Sequence, residues 1–158
     1  MKWPGRLLTG VKSRDGKYFG SKSGTLEAVG LLLPFVTNPE ELVGQQVVLE
    51  VDNLGVVYGW NKKHCRGDPE TSVLLRALHV LEARIACKVH VKHVSRCSTE
   101  MAILADKLTR ASSTDRWAEE RISQADRRVL TGPLMDWLRN PVVDWNLPEK
   151  LCKNIGDC

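Results

Sequence analysis

The sequence lacks the features that define several large protein classes. No apolar stretch in its 158 residues approaches the roughly 18 residues that a membrane-spanning helix needs, and the segment after Met1 has no signal-peptide core. The five cysteines are an odd number without a C-x-x-C pair, which argues against a zinc site or a disulfide framework. These absences predict an intracellular protein, of cytoplasm or nucleus, with reduced thiols and no membrane partner.

A nucleophile triad is also missing. Thr9, Ser21, Ser72 and Ser98 have no histidine or acid at an informative spacing, so the sequence does not indicate a serine-type hydrolase. The chain is 42% hydrophobic and 27% charged, with a formal net charge of +4. This composition is typical of a globular domain, and the mild positive charge is compatible with nucleic acid without establishing it.

Alternating helix and strand patterns predict an α/β domain over residues 1–110. A strand over 47–51 is continuously apolar, as expected of a strand covered on both faces, and a strand over 88–94 alternates valine with polar residues. Two short strands, 6–11 and 17–20, are expected on either side of an Asp-Gly hairpin turn. The first predicted helix begins at Ser23 or Thr25 and ends at Pro34 or Asn38-Pro39, with Leu26, Val29, Gly30 and Leu33 on one face. A short helix over 54–60 and a basic loop over 61–68 follow the first long strand.

Two more helices are predicted. One is capped by Asp68 and has an apolar stripe of Leu74, Ala77, Leu78, Leu81 and Ile85; the other runs from Ser98 or Thr99 to Arg110.

Residues 111–158 differ from the first part and are interpreted as a C-terminal extension. They hold polar stretches and scattered prolines, with one short helix predicted near Leu134–Arg139. The rings of Trp117, Trp137 and Trp145 are suited to base stacking. In a segment without a core of its own, pinning the extension to the domain is the favoured interpretation.

Three acids stand in apolar segments of different kinds. Glu27 opens the helical run Leu26–Leu33, Asp52 closes the strand that ends at Val51, and Asp106 lies in a helical segment. An acid in an apolar run is costly unless it is paired or binds a metal, and carboxylates from distant segments are how two-metal nucleases hold Mg²⁺ or Mn²⁺. The alternative for each acid is a solvated helix residue or turn chemistry after a strand.

A basic loop follows Asp52 closely. Lys62, Lys63 and Arg66, with His64 among them, are placed to contact phosphates beside the acids. A solvated loop with no ligand is the alternative.

Several segments together resemble the ribonuclease H domain of retroelement reverse transcriptases, the DIRS-type retrotransposons above all. Residues 23–35 are similar to its first helix, 48–53 to its central acidic strand, and 93–96 followed by 105–110 to its closing strand and helix. Residues 132–138 are similar to the tail that follows the domain in that group. The resemblance implies a ribonuclease H-like mixed sheet flanked by helices and metal-dependent cleavage of the RNA strand of an RNA–DNA hybrid. Glu27, Asp52 and Asp106 would be its metal-binding acids.

The chain departs from the family at a fourth acid, an aspartate on the first strand. The only aspartate before Glu27 is Asp15, at 27 − 15 = 12 residues upstream and inside the predicted hairpin turn, so it does not match. The resemblance therefore implies a domain that is incomplete at its N-terminus, lacking the first strand. Three explanations are open: a protein partner or a preceding domain completes the sheet, the chain is a domesticated fragment with a rearranged sheet, or Asp15 has been recruited.

Two other functions stay open at this point. One is a catalytically inactive ribonuclease H-like module that binds nucleic acid or a protein. The other is an integrase or transposase core, which would need an acid after Asp106; Asp115, Glu119 and Glu120 lie in a polar segment that does not resemble that family.

Overall fold

The computed structural model describes residues 23–95, 98–100, 103–104, 132–139 and 143–155. Within these ranges the chain is mixed α/β, with six helices and one small parallel sheet, which confirms the predicted class. In chain order the elements are α1 (Ser23–Thr37), α2 (Pro39–Leu42), β1 (Gln46–Val51), α3 (Leu54–Lys62), α4 (Pro69–Ile85), β2 (Lys88–His93), α5 (Pro133–Arg139) and α6 (Leu147–Asn154).

Two predicted regions lie outside the described residues. They are the hairpin strands at 6–11 and 17–20 and the segment 105–110 that holds Asp106. No helix in the described ranges is long and apolar enough to cross a membrane.

The sheet pairs β1 and β2 in parallel, from Gln46 opposite Lys88 to Val51 opposite His93. Parallel neighbours need a long crossover connection, and here α3 and α4 supply it. Val51 and Val89 face the core, whereas Val48 on the other face is 57% exposed. The prediction that this strand is covered on both faces is therefore wrong, because the core lies on one side of the described sheet. In the described ranges β1 has one strand neighbour.

Helix α1 turns a different face to the core than the one predicted. Of the predicted face only Val29 is buried, while Gly30 is exposed. The buried positions recur every three or four residues and are Thr25, Ala28, Val29, Leu31, Leu32 and Phe35. The helix also continues past Pro34 to Thr37. The N–H that Pro34 lacks would have bonded the carbonyl of Gly30, which lies on the exposed side of the helix.

Helix α4 forms the centre of the core, and its prediction is confirmed. Asp68 caps it, with Pro69 in the first turn where a missing N–H costs nothing. The predicted stripe of Leu74, Ala77, Leu78, Leu81 and Ile85 is fully buried. The αL conformation of Ala86 ends the helix, and β2 begins two residues later.

Helix α6 packs on α4, and α5 packs on α6; residues of both belong to the same hydrophobic cluster as α1. The helix near Leu134–Arg139 was predicted; α6 was not. Trp137 is 4% exposed, as expected of a residue that pins this segment. Trp145 is 51% exposed, so the same interpretation is wrong for it. Trp117 lies outside the described residues.

Candidate functional site

The carboxyl end of β1 leads directly into the site. Val51 is buried, and Asp52 follows it half-buried at the point where the strand ends. Asn53 then caps α3, its side-chain oxygen accepting the backbone N–H of Gly55 at 2.9 Å. An Asn N-cap satisfies one of the free N–H groups at a helix start, so Asp52 is held between two fixed elements.

Glu27 reaches the same place from α1. The amide Nδ2 of Asn53 donates a hydrogen bond to Oε1 of Glu27 at 3.4 Å, across 26 residues of sequence. The residue that follows Asp52 thus orients the carboxylate of Glu27. The structure brings two of the three predicted acids to one end of the sheet, and the third, Asp106, lies outside the described residues.

The donor set at this end suits a hard divalent cation. Mg²⁺ and Mn²⁺ prefer oxygen ligands such as carboxylates, and Mg²⁺ keeps several of its waters. Glu27 and Asp52 supply carboxylate oxygens at this end of the sheet. No group of three or more His, Cys, Asp or Glu residues converges in the part of the chain that the structure describes, so a full ligand set would require Asp106.

A cleft of about 990 Å³ adjoins this end of the sheet. The starts of three helices border it: Ser23 and Gly24 of α1, Asn53 before α3, and the first turn of α4. The side chain of Thr25 in α1 bonds that of Thr71 in α4 at 3.0 Å, buried. That contact fixes the first turns of α1 and α4 together beneath the cleft.

Two of the three predicted nucleic-acid contacts line this cleft. Lys62, at the end of α3, and Arg66, in the loop, are exposed on its wall. Lys63 is exposed in an αL conformation at the end of α3 and is not part of the lining. Within residues 23–95 and the other described ranges, no acid forms an ion pair with these three cations.

The loop that carries the cations is tied to α4. The backbone N–H of Cys65 donates to Oγ of Ser72 at 2.8 Å, and that hydroxyl lies 3.1 Å from the Cys65 carbonyl. Asp68 accepts the N–H of Thr71 at 3.0 Å. These bonds hold residues 65–68 in one conformation, so Arg66 is presented on a fixed backbone.

Cys65 itself is packed rather than reactive. A Cβ on Gly59 would lie only 2.1 Å from the Sγ of Cys65. Helix α3 and the loop can therefore pack this closely only because residue 59 is glycine. Burial, followed by the nearby charge of Asp68, raises the pKa of the Cys65 thiol. A thiol with a raised pKa is a poor nucleophile near neutral pH.

Sequence reasoning missed two residues of the site. Asn53 was interpreted as part of a turn, and its bond to Glu27 depends on tertiary packing. Tyr58 lines the cleft and is 60% exposed. Its signal was present in the sequence: an aromatic residue four positions before Lys62 lies on the same face of a helix.

Comparisons with protein-family models, with curated proteins and with solved structures give no match.

Proposed function

We propose that this chain is a ribonuclease H-like domain derived from a DIRS-type retrotransposon, which hydrolyses the RNA strand of an RNA–DNA hybrid. The observation that carries the proposal is the hydrogen bond between Asn53 and Glu27. It brings the helix acid to the strand acid Asp52, at the end of an open α/β sheet where ligands bind.

The proposed roles follow from position. Glu27, Asp52 and Asp106 would hold Mg²⁺ or Mn²⁺, which supplies an activated water and charge stabilisation for phosphodiester hydrolysis. Asn53 keeps Glu27 turned toward the end of β1. Lys62, Lys63 and Arg66 contact backbone phosphates; their charges are available because no described acid pairs with them.

The test is cleavage of a labelled RNA–DNA hybrid in Mg²⁺ or Mn²⁺ by the wild type and by Asp52→Asn. Loss of a partner that merely orients a metal ligand costs about 10- to 100-fold, so loss of a ligand should cost about 100-fold or more. Glu50→Gln is the matched control, because Glu50 stands on the same strand, exposed, with Lys92 as its neighbour at 3.9 Å. Equal cleavage by Asp52→Asn and Glu50→Gln would contradict the proposed site.

The number of acids favours a second candidate, a catalytically inactive ribonuclease H-like module that binds nucleic acid or a protein partner. Asp15 is the only aspartate before Glu27, and its spacing does not match the family's fourth acid. Hybrid binding without cleavage at saturating Mn²⁺ would support this candidate. Cleavage that Asp52→Asn abolishes would exclude it.

A further inference from the structure

Helix α3 carries two aromatic residues, one buried and one exposed to solvent. Trp60 is 7% exposed and stacks on His79 of α4, with ring centroids 3.7 Å apart. Tyr58 is 60% exposed and lines the cleft. Trp60 therefore anchors α3 to the core, and it fixes the direction in which Tyr58 projects from the same helix.

Cations flank the exposed ring. Lys62 follows Tyr58 by one helical turn, and Arg66 reaches the cleft from the tied loop. Two acids, Asp68 and Glu70, share the lining. The carboxylate of Asp68 is committed to the cap of α4, where it accepts the N–H of Thr71 at 3.0 Å and its hydroxyl at 2.6 Å.

An aromatic face beside cations in a concave surface is the arrangement by which proteins hold single-stranded nucleic acid. The cleft volume of about 990 Å³ is at the upper end of the range for small-ligand pockets, which is sufficient for a nucleotide. In a duplex both faces of an interior base are covered by its neighbours, so only an unpaired or terminal base offers a face to Tyr58.

We propose that Tyr58 stacks on the base of an unpaired nucleotide while Lys62 and Arg66 contact its flanking phosphates. The cleft also includes Asn53, whose side chain donates to Glu27, so this nucleotide would lie on the side of the cleft that leads to the proposed acids. The inference rests on the proposed binding of nucleic acid, although not on hydrolysis. It names the substrate class: a hybrid with a single-stranded extension.

The experiment compares a blunt RNA–DNA hybrid with the same hybrid carrying a short single-stranded extension, by fluorescence anisotropy with EDTA present to prevent cleavage. The wild type should bind the extended hybrid about 5- to 100-fold more tightly, the range for stacking of one base. Tyr58→Ala should remove this preference, so that the variant binds the two hybrids with similar affinity. Tyr58→Phe should keep it, since stacking needs the ring and not the hydroxyl.

Trp145→Ala is the matched control, because Trp145 is 51% exposed but lies outside the cleft, and it should keep the preference. The inference is overturned if Tyr58→Ala keeps the full preference, or if the wild type binds both hybrids equally. In those cases the binding of the blunt hybrid still stands and the proposed function survives. If neither hybrid binds, the proposed function fails, and the role of Tyr58 fails with it.

Discussion

Replacing Gly59 by alanine should separate α3 from the basic loop. A Cβ at this position would stand 2.1 Å from Sγ of Cys65 and 2.9 Å from Cδ1 of Leu75. Leu75 is fully buried in α4, and the backbone of Cys65 is bonded to Ser72. Neither neighbour can withdraw easily, so α3 must move or the loop must detach.

The expected magnitude combines two opposing effects. Overpacking of a filled site costs about 1–3 kcal/mol, whereas exchange of a helical glycine for alanine gains about 1 kcal/mol. The free energy of unfolding should therefore fall by up to about 2 kcal/mol. Affinity for a hybrid should fall as well, because Lys62 and Arg66 lose their fixed backbone.

Chemical denaturation of the wild type and Gly59→Ala measures the change, with Gly30→Ala as the control. A Cβ on Gly30 meets nothing within 4 Å, so the same exchange there should stabilise the protein by about 0.5–1 kcal/mol. The double variant Gly59→Ala/Cys65→Ala removes the sulfur. It should recover about 1 kcal/mol relative to the sum of the single variants.

The reasoning would be refuted if Gly59→Ala stabilised the protein as much as Gly30→Ala does. It would also be refuted if the double variant showed no coupling, since contact with Cys65 would then not be the cause.

Two further predictions concern the ends of helices. Asp68→Ala removes both bonds to Thr71 and should lower the free energy of unfolding by about 1 kcal/mol, measured in urea, whereas Asp68→Asn should retain most of it. Asp144 accepts hydrogen bonds first from Lys150, at 2.7 Å, and then from the N–H of Asn146, which lower its pKa. Because the pKa of Asp144 is lower in the folded than in the unfolded protein, its ionised carboxylate stabilises the fold at pH values above the unfolded-state pKa. Asp144→Asn should therefore lower the free energy of unfolding by up to about 1 kcal/mol at neutral pH. In thermal melts this difference should shrink as the pH falls below the usual carboxyl pKa of about 3.9 and vanish below the lowered pKa of folded Asp144; a difference independent of pH would contradict the assignment.

Local sequence patterns correctly predicted the elements in which the N-cap residue and the hydrophobic period agree with the observed burial. Helix α4 has a capping Asp68, a proline in its first turn and an unbroken apolar stripe, and β2 alternates as its burial does. Position along the chain also predicted that Asp52 ends a strand. In these segments the tertiary structure adds nothing that contradicts the local pattern.

Other features depend on what packs against what. Helix α1 is apolar on most of its circumference, so its period alone did not select the face that meets α4, and the exposed Gly30 was assigned to the core. Helix α6 has only 8 residues and lies in a segment with scattered prolines, so no helix was predicted there; its own proline, Pro148, stands in the first turn, where proline is tolerated. The bond from Asn53 to Glu27 joins segments 26 residues apart, which no local pattern reports.

The burial of α4 has a consequence for how the protein is made. Its surface is covered from one side by α1, which is synthesised before it, and from another by α6, which is synthesised more than 60 residues later. Leu147 and Leu151 of α6 are each 1% exposed. A nascent chain that has completed α4 and β2 still displays apolar surface until residues 147–154 have left the ribosome. Translation of residues 147–154, rather than of the segment that carries Asp52, therefore sets the earliest moment at which the core can close.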